Sequence, residues 1–269
     1  DKGFFRDEGI NLEIISGSGS MDSLRLVATK AVDFAICDSF VVVQGVAKEM
    51  PIKTIAIEFT RSPITIMSLA EKNITKPEDL IGKKVAVSKK STTFLALKAF
   101  LELNNLSSED MQIVDYGFSL QPLLVGQVDA VLEYTMDGPV KATALGYKVN
   151  EIMLSDYGID VYGATIICHT DTLKNNPDLV SRFLRATIRS SKYIVRHPDE
   201  AIDALMERFP DLNRDHELTV LMKTLEMRIL TEHGYSDRKR WQQTVNILFD
   251  LGIIDEKVPV ESIYTNYYL

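Results

Sequence analysis

Acidic and aromatic side chains recur together where predicted strands end. Carboxylates accept hydrogen bonds from amino groups, and aromatic rings offer flat apolar surfaces for stacking. The combination is typical of a site for a planar, nitrogen-bearing ligand. For any single residue the alternative is that loops are polar and tyrosine is common at surfaces, but recurrence across several segments favours a site. Five segments share this composition: 37–40, 58–62, 115–119, 133–137 and 156–162.

These segments supply most of the candidate ligand-binding residues. We place most weight on Glu133 and Tyr134, and on Tyr157 and Tyr162, which precede the last predicted strand. Ligands of open α/β sheets bind outside the carboxyl ends of strands, where most of these segments lie. The full set is Asp38, Ser39, Phe40, Glu58, Arg61, Tyr116, Phe118, Glu133, Tyr134, Asp137, Tyr157 and Tyr162.

Two further segments could bind a small ligand through a helix N-terminus. Ser18 lies in a Gly-Ser-Gly-Ser turn between a predicted strand and a helix, where backbone N–H groups are available. The turn lacks the GxGxxG and GK[ST] patterns of nucleotide sites. Ser91 and Thr92 lie in the segment 88–93, at the N-terminus of the predicted helix over 92–104, and this segment could bind an anionic or carbonyl appendage. The alternative is that Lys89 and Lys90 form a solvated charge pair.

Catalytic and metal sites have no support in the sequence. The four histidines are scattered, and neither an HExxH motif nor a GxSxG motif occurs. Cys37 and Cys168 stand far apart without a CxxC pair, so they indicate neither zinc nor a disulfide framework. We therefore predict no enzyme activity, no metal and no cofactor.

Composition excludes several other classes. The 269 residues, 45% of them hydrophobic and 25% charged, are typical of a folded globular chain of one or two domains. A formal net charge of −8 opposes binding to nucleic acid, which depends on cationic contacts to phosphates. The longest apolar runs are much shorter than the ~20 residues of a membrane span. The first residues read as the end of a helix, so we expect the chain to be trimmed or to begin inside a larger product.

The pattern of elements predicts an α/β protein. β-rich runs alternate with helical stretches near 21–30, 41–50, 92–104, 121–125 and 137–145, which favours largely parallel sheets. From residue 176 onward only helices are predicted, opened by Asn176-Pro177, His197-Pro198 and Asn213, with Gly252 after the last long one. The predicted strands are 11–16, 32–36, 53–59, 64–69, 84–88, 111–115, 128–133, 148–154 and 163–169.

Four motifs, spread over most of the chain, carry a family resemblance. They are KGFF at 2–5 with EGI at 8–10 and LEI at 12–14, ITKPEDLIGKKVAV at 74–87, VGQVDA at 125–130, and NPDLV at 176–180 with FLRA at 183–186. In this order they resemble the substrate-binding proteins of ABC importers, in the branch that binds thiamine pyrimidine precursors, alkanesulfonates and nitrate. The YTNYYL ending at 264–269 is similar to that of the pyrimidine-precursor subgroup.

The resemblance implies the two-lobe type II periplasmic binding protein fold, with hinge strands and an all-helical C-terminal section. Lobe 1 would comprise residues 1–70 and 163–269, and lobe 2 residues 71–162, with the ligand in the cleft. Strand 163–169 would return antiparallel beside 32–36, which keeps Cys37 and Cys168 apart. Closure on the ligand would be recognised by an ABC permease, and the protein would be an exported, extracytoplasmic monomer that does not bind nucleic acid.

The charges of the candidate segments bear on which ligand is bound. Sulfonate or nitrate is best bound by arginine and helix N-termini. Here acidic residues outnumber the cations, so a pyrimidine precursor is favoured over an oxyanion, although a sulfonate or a flavin stays open. The acidic residues are Asp38, Glu58, Glu133, Asp137, Asp156 and Asp160, and the cations are Arg61, Lys89 and Lys90.

Three alternatives stay open. Members of the family begin with another strand whose loop contacts the ligand, so either this sequence is incomplete or the protein binds differently. The same two-lobe module also serves as the sensing domain of membrane receptors and kinases. The eukaryotic pyrimidine synthase of thiamine biosynthesis shares the fold, but it is marked by a cysteine-rich segment that this sequence lacks.

Overall fold

The computed structural model describes residues 2–89, 91–115 and 119–269. The chain forms two compact units, each with its own sheet. Unit 1 comprises Asp1–Thr60 and Val161–Leu269, and unit 2 comprises Arg61–Asp160. The chain therefore passes between the units twice, after Thr60 and after Asp160.

The predicted strands are present in the described residues with one exception. Eight of the nine form, with ends shifted by up to two residues. They are β1 (Phe34–Asp38), β2 (Ile52–Ile57), β3 (Ile64–Leu69), β4 (Lys84–Val87), β5 (Gln112–Asp115), β6 (Ala130–Tyr134), β7 (Val149–Met153) and β8 (Ala164–His169).

Twelve α-helices occur in the described residues. The first two precede β1 and the next five are interspersed with or follow the strands: α1 (Phe4–Asp7), α2 (Ser20–Ala28), α3 (Ser39–Ala47), α4 (Thr92–Leu103), α5 (Gln121–Leu124), α6 (Gly138–Ala144) and α7 (Thr170–Asn175). The predicted helical section follows as α8 (Pro177–Arg196), α9 (Pro198–Arg208), α10 (Arg214–Glu226), α11 (Arg238–Asp250) and α12 (Val260–Ile263).

Residues 11–16 form no strand, which corrects the prediction. Leu12, Ile14 and Ile15 are 37%, 57% and 55% exposed. A strand requires a neighbour for its N–H and C=O groups, and in the described chain β1 pairs with β8 only. The apolar residues of this segment favour extended structure, but no described strand pairs with the segment.

The sheet of unit 1 is antiparallel, which corrects the expectation of largely parallel sheets. Strand β8 is inserted between β1 and β2 and runs antiparallel to both, with Asp38 opposite Ala164 and Phe34 opposite Cys168. The two parallel strands are thus separated by the returning one. The antiparallel pairing predicted for the return strand is confirmed.

The sheet of unit 2 is mixed, in the order β5-β4-β6-β3-β7. Strand β4 runs parallel to β5 and β6, whereas β3 runs antiparallel to β6 and β7. All six residues of β3 are buried, as expected for a central strand covered on both faces. This strand is the first element after the chain enters unit 2, and it carries the neighbour of Glu133.

Helix ends follow the predicted signals with one difference. The Asn213 side chain caps α10 by accepting a hydrogen bond from the His216 backbone N–H at 3.0 Å. Gly252 has φ +64° just beyond α11, the conformation that favours glycine there. Asn176 precedes α8 as predicted, but its side chain makes no capping hydrogen bond, so Pro177 is the signal that marks this start.

Both cysteines are free and buried. Cys37 pairs with Thr165 near one end of the β1–β8 ladder, and Cys168 pairs with Phe34 at the other. Burial raises the pKa of the Cys168 thiol to about 12 and also raises that of Cys37. The two thiols therefore behave as small core hydrophobes.

Candidate functional site

In unit 1, the ends of β1 and β2 and the beginning of β8 meet at one edge of the sheet. Asp38 lies opposite Ala164, and the Glu58 N–H donates to the Ala164 carbonyl at 2.9 Å. Asp38 and Glu58 therefore lie on either side of the same residue, as the sequence predicted for strand ends. Their side chains have different surroundings.

The Asp38 carboxyl is held inside unit 1. It accepts a hydrogen bond from the Phe40 N–H at 2.9 Å and so caps α3. The backbone N–H of Asp38 donates to Ser20 Oγ at 3.1 Å. Burial raises the pKa of Asp38 to about 7, and the hydrogen bond from Phe40 opposes this shift. Asp38 can therefore change its charge near neutral pH.

Ser39 and Phe40 are also interior residues. Ser39 Oγ donates to the Tyr162 carbonyl at 2.6 Å, and Phe40 is 1% exposed. Ser39 thereby joins α3 to the segment that leads into β8. The structure gives both residues partners within unit 1, which the sequence pattern did not distinguish from ligand contacts.

Ser18 lies on the surface, in the loop before α2. Its N–H lies 3.4 Å from Asp22 Oδ2, so the loop is closed back onto the first turn of the helix. Gly19 stands at the N-cap with φ 109°, and no side chain caps α2. The Gly-Ser turn is therefore an open helix start, as its composition indicated.

Glu58 is partly buried on the side of the sheet covered by α8. It lines a small pocket with Ile166 of β8, Thr187 and Ser191 of α8, and Thr231. Burial raises the pKa of its carboxyl. This environment favours the neutral acid more than a free surface would.

Tyr162 is 3% exposed, and its ring contacts other side chains on more than one side. The ring lies 5.4 Å from that of Trp241, and the Arg240 guanidinium lies 5.1 Å from its centroid. Its hydroxyl accepts a hydrogen bond from the Asp237 N–H, and burial raises its pKa. The free stacking surface expected of Tyr162 is thus occupied, because α11 packs against it.

In unit 2, Glu133 and Tyr134 end strand β6. Glu133 lies opposite Thr65 of β3 and is partly buried. Burial raises the pKa of Glu133 to about 7, with the nearby Asp137 charge adding to the rise and Lys141 opposing it. Near neutral pH the Glu133 carboxyl can therefore be ionised and accept hydrogen bonds, or be protonated and donate one.

The start of α6 packs directly on Glu133. A Cβ added at Gly138 would lie 2.5 Å from Glu133 Cγ and 2.8 Å from its Cβ. A glycine is therefore required at this position for α6 to approach. Asp137 forms an ion pair with Lys141 at 2.8 Å. Tyr134, the last residue of β6, is 40% exposed.

Tyr157 and Arg61 complete the candidates at this end of unit 2. The Tyr157 ring packs edge-on against Phe100 at 5.9 Å, which leaves it partly buried. Arg61 forms an ion pair with Asp156 at 2.5 Å. Because its charge is already matched, Arg61 adds little net attraction for an anion.

The candidates before α4 form a hydroxyl-rich turn. Ser91 Oγ donates to the Ser88 carbonyl at 2.6 Å and lies 2.6 Å from Thr93 Oγ1. Thr92 is the first residue of α4, and the Lys89 N–H donates to Asp115 Oδ1 at 3.0 Å. Tyr116, Phe118 and Lys90, which the sequence also singled out, lie outside the described residues.

Sequence reasoning missed three residues that shape these two regions. Gly138 admits α6 onto Glu133, and Arg240 and Asp237 hold Tyr162. The Gly138-Pro139 pair at a helix start is a local signal that could have identified the first. The contacts of α11 with Tyr162 join residues distant in sequence and have no such signal.

The described residues contain neither a cluster of metal ligands nor a membrane-spanning helix. Over residues 2–89, 91–115 and 119–269, no group of three His, Cys, Asp or Glu side chains could hold a metal ion. Within those same ranges, every helix is too short or too polar to cross a membrane.

Comparison with known proteins places the chain. The family model described as NMT1/THI5 like matches residues 1–201. The chain belongs to the NMT1/THI5-like family. The match extends through both sheets and all of α8 and ends in the first turn of α9, so the NMT1/THI5-like assignment rests on residues of both units and not on a local motif.

Three curated relatives match over nearly the whole chain. The formylaminopyrimidine-binding protein of Halalkalibacterium halodurans is 23% identical, over 99% of this chain and 83% of its own length. The riboflavin-binding protein RibY of Chloroflexus aurantiacus is 25% identical, over 100% and 80%. The 4-amino-5-hydroxymethyl-2-methylpyrimidine phosphate synthase of Legionella pneumophila is 24% identical, over 99% and 85%.

A solved structure shows the same fold. The periplasmic aliphatic sulphonate binding protein SsuA of Escherichia coli superposes with a TM-score of 0.74 at 16% identity, covering 91% of this chain and 79% of its own. The type II periplasmic binding protein fold implied by the sequence motifs is confirmed.

Proposed function

We propose that this protein is the solute-binding component of an ABC importer, and that its solute is a small nitrogen-bearing heteroaromatic compound of the thiamine-pyrimidine-precursor type. Two relatives of similar coverage are named for binding a formylaminopyrimidine and riboflavin, both planar heteroaromatic compounds. Membership of the NMT1/THI5-like family agrees with this class of solute. An extracytoplasmic location and a permease partner belong to the same proposal.

The observation that carries the proposal is the partly buried Glu133 carboxyl at the end of β6. An ionised Glu133 accepts hydrogen bonds from a ring amino group, and a protonated one donates to a ring nitrogen. Its pKa of about 7 makes both forms available. The partly exposed Tyr134 ring at the same strand end is a separate surface on which a flat ligand can stack, because successive side chains of a strand point to opposite faces.

Sulfonate or nitrate fits these residues less well. Arg61 is already paired with Asp156, and Lys141, whose charge acts on Glu133, is paired with Asp137. An added anion would compete with these carboxylates and would lie near Glu133. We therefore place an aminopyrimidine first and a flavin second.

In this proposal the protein makes and breaks no bond. The solute shifts a conformational equilibrium because it binds one conformation more tightly than another. The permease recognises that conformation.

Substitution of Glu133 by Gln tests the carrying observation. The variant keeps the size of the side chain but removes the charge, and we expect affinity for an aminopyrimidine to fall by roughly 1–3 kcal/mol, the range for a hydrogen bond to a charged group. Glu102→Gln, at an exposed position of α4, is the matched control. Equal affinities for the wild type and Glu133→Gln would remove Glu133 from the site.

The second candidate function is pyrimidine synthesis, which the Legionella pneumophila relative favours. The chain is 24% identical to that synthase and 23% and 25% identical to the two binding proteins, so percentage identity does not choose between them. Iron or pyridoxal phosphate bound to the purified protein would support the synthase. Recovery of an unmodified aminopyrimidine by mass spectrometry of the purified protein would support the binding protein.

A further inference from the structure

Helix α11 contacts the chain at both crossings, entirely within unit 1. Arg240, in the first turn of α11, donates through Nη1 to the carbonyl of Thr60, the last residue of unit 1 before the first crossing. The same guanidinium lies 5.1 Å from the ring centroid of Tyr162, the second residue after the return crossing. One cation thus holds the two crossing segments together.

Backbone contacts fix the same segments further inside unit 1. The Gly163 N–H donates to the Phe59 carbonyl at 3.1 Å, and the Thr60 N–H donates to the Ile229 carbonyl at 2.7 Å. The Asp237 N–H donates to the Tyr162 hydroxyl. These donors are backbone groups, which a side-chain substitution leaves in place. Substitution of Arg240 removes the contacts that its guanidinium makes with both crossing segments.

A guanidinium can do both tasks at once. Its planar face stacks on an aromatic ring while its edge donates hydrogen bonds in a fixed geometry, whereas an ammonium group supplies a point charge without that face. The bond to the Thr60 carbonyl restrains the backbone that must rotate if the chain bends at the first crossing. The cation–π contact with Tyr162 restrains the segment after the second crossing in the same way.

We propose that Arg240 is a positioning residue for bending at the two crossings, and that it sets which conformations of the two units the free protein populates. This inference rests on the proposed function, in which a solute selects among those conformations. Fewer binding-competent molecules give a weaker apparent affinity even when the residues that touch the solute are unchanged.

Distances between spin labels on the two units test the proposal. Cysteines introduced for Glu102 in α4 and Glu207 in α9 are exposed label sites in different units, and the native cysteines are buried. Double electron–electron resonance spectroscopy gives the distribution of label-to-label distances for the labelled wild type and for the Arg240→Ala, Arg240→Lys and Arg238→Ala variants. Arg238 is the matched control, because it lies in the same turn of α11 but pairs with Glu261.

We expect a broader distribution for Arg240→Ala and Arg240→Lys in the absence of solute, with Arg238→Ala like the wild type. Titration with riboflavin and with 4-amino-5-hydroxymethyl-2-methylpyrimidine should show affinity weaker by about 5-fold or more in the Arg240 variants for whichever probe binds. Arg240→Lys keeps the measurement decisive if Arg240→Ala does not fold. Wild-type distributions in both Arg240 variants would overturn the inference.

Failure of the proposed function gives a different result. If neither probe binds the wild type or moves its distance distribution, the proposed solute class is wrong. The broader distribution of the solute-free Arg240 variants would still support the role of Arg240, since that comparison involves no solute.

Discussion

The pH dependence of stability offers a direct test of the surroundings of Glu133. Its pKa in the folded protein is about 7, against an ordinary value of 4.5. Because the folded state holds the proton more tightly than the unfolded state, this group favours folding below pH 4.5, and that contribution is lost as pH rises to 7. The difference corresponds to about 3 kcal/mol at full effect, and the partial exposure of Glu133 reduces our expectation to about 2 kcal/mol.

Glu133→Gln removes this titration while keeping the shape of the side chain. Relative to the wild type, the variant should gain about 2 kcal/mol in free energy of unfolding between pH 5 and pH 8. Urea unfolding followed by far-UV circular dichroism measures the gain, since the sole tryptophan, Trp241, lies in unit 1. Glu102→Gln is again the control. Parallel pH profiles for Glu133→Gln and the wild type would refute the reasoning.

Three further predictions concern packing in the two units. Gly138→Ala should destabilise the protein by about 1–3 kcal/mol, because its Cβ would overlap Glu133, and an unchanged thermal midpoint would show that α6 can move away freely. Tyr162→Phe removes the acceptor at the start of α11 and should cost about 1 kcal/mol in the same assay, whereas no loss would mean that water replaces it. Cys37 and Cys168 should resist iodoacetamide at pH 8 until urea unfolds the chain, and mass spectrometry showing alkylation of the native protein would contradict their burial.

The sequence predicted where the strands and helices lie better than it predicted which strands pair in the sheets. Runs such as Ile64–Leu69 are strongly apolar and bounded by turn residues, so their extent could be read locally. The insertion of β8 between β1 and β2 depends on residues more than a hundred positions apart. Alternation of strands and helices predicts parallel sheets and does not reveal that β8 returns to the first sheet in the antiparallel direction. The family resemblance did predict this return.

The sequence predicted which acidic and aromatic segments lie at strand ends, and not which of their side chains face inward. Asp38 and Glu133 have strongly raised pKa values, and both belong to strand-end segments rich in acidic and aromatic residues. Whether a side chain faces inward is decided by packing of distant helices, as with Tyr162 against Trp241 and Arg240. Composition of a segment carries no information on that choice.

The central claim is that a planar nitrogen heterocycle binds this protein and leaves it unaltered. Isothermal titration calorimetry with 4-amino-5-hydroxymethyl-2-methylpyrimidine, followed by mass spectrometry of the released compound, tests the claim most directly. We predict saturable binding of one molecule per chain and recovery of the same mass. Absence of heat with this compound and with riboflavin, or recovery of a chemically changed product, would contradict the account.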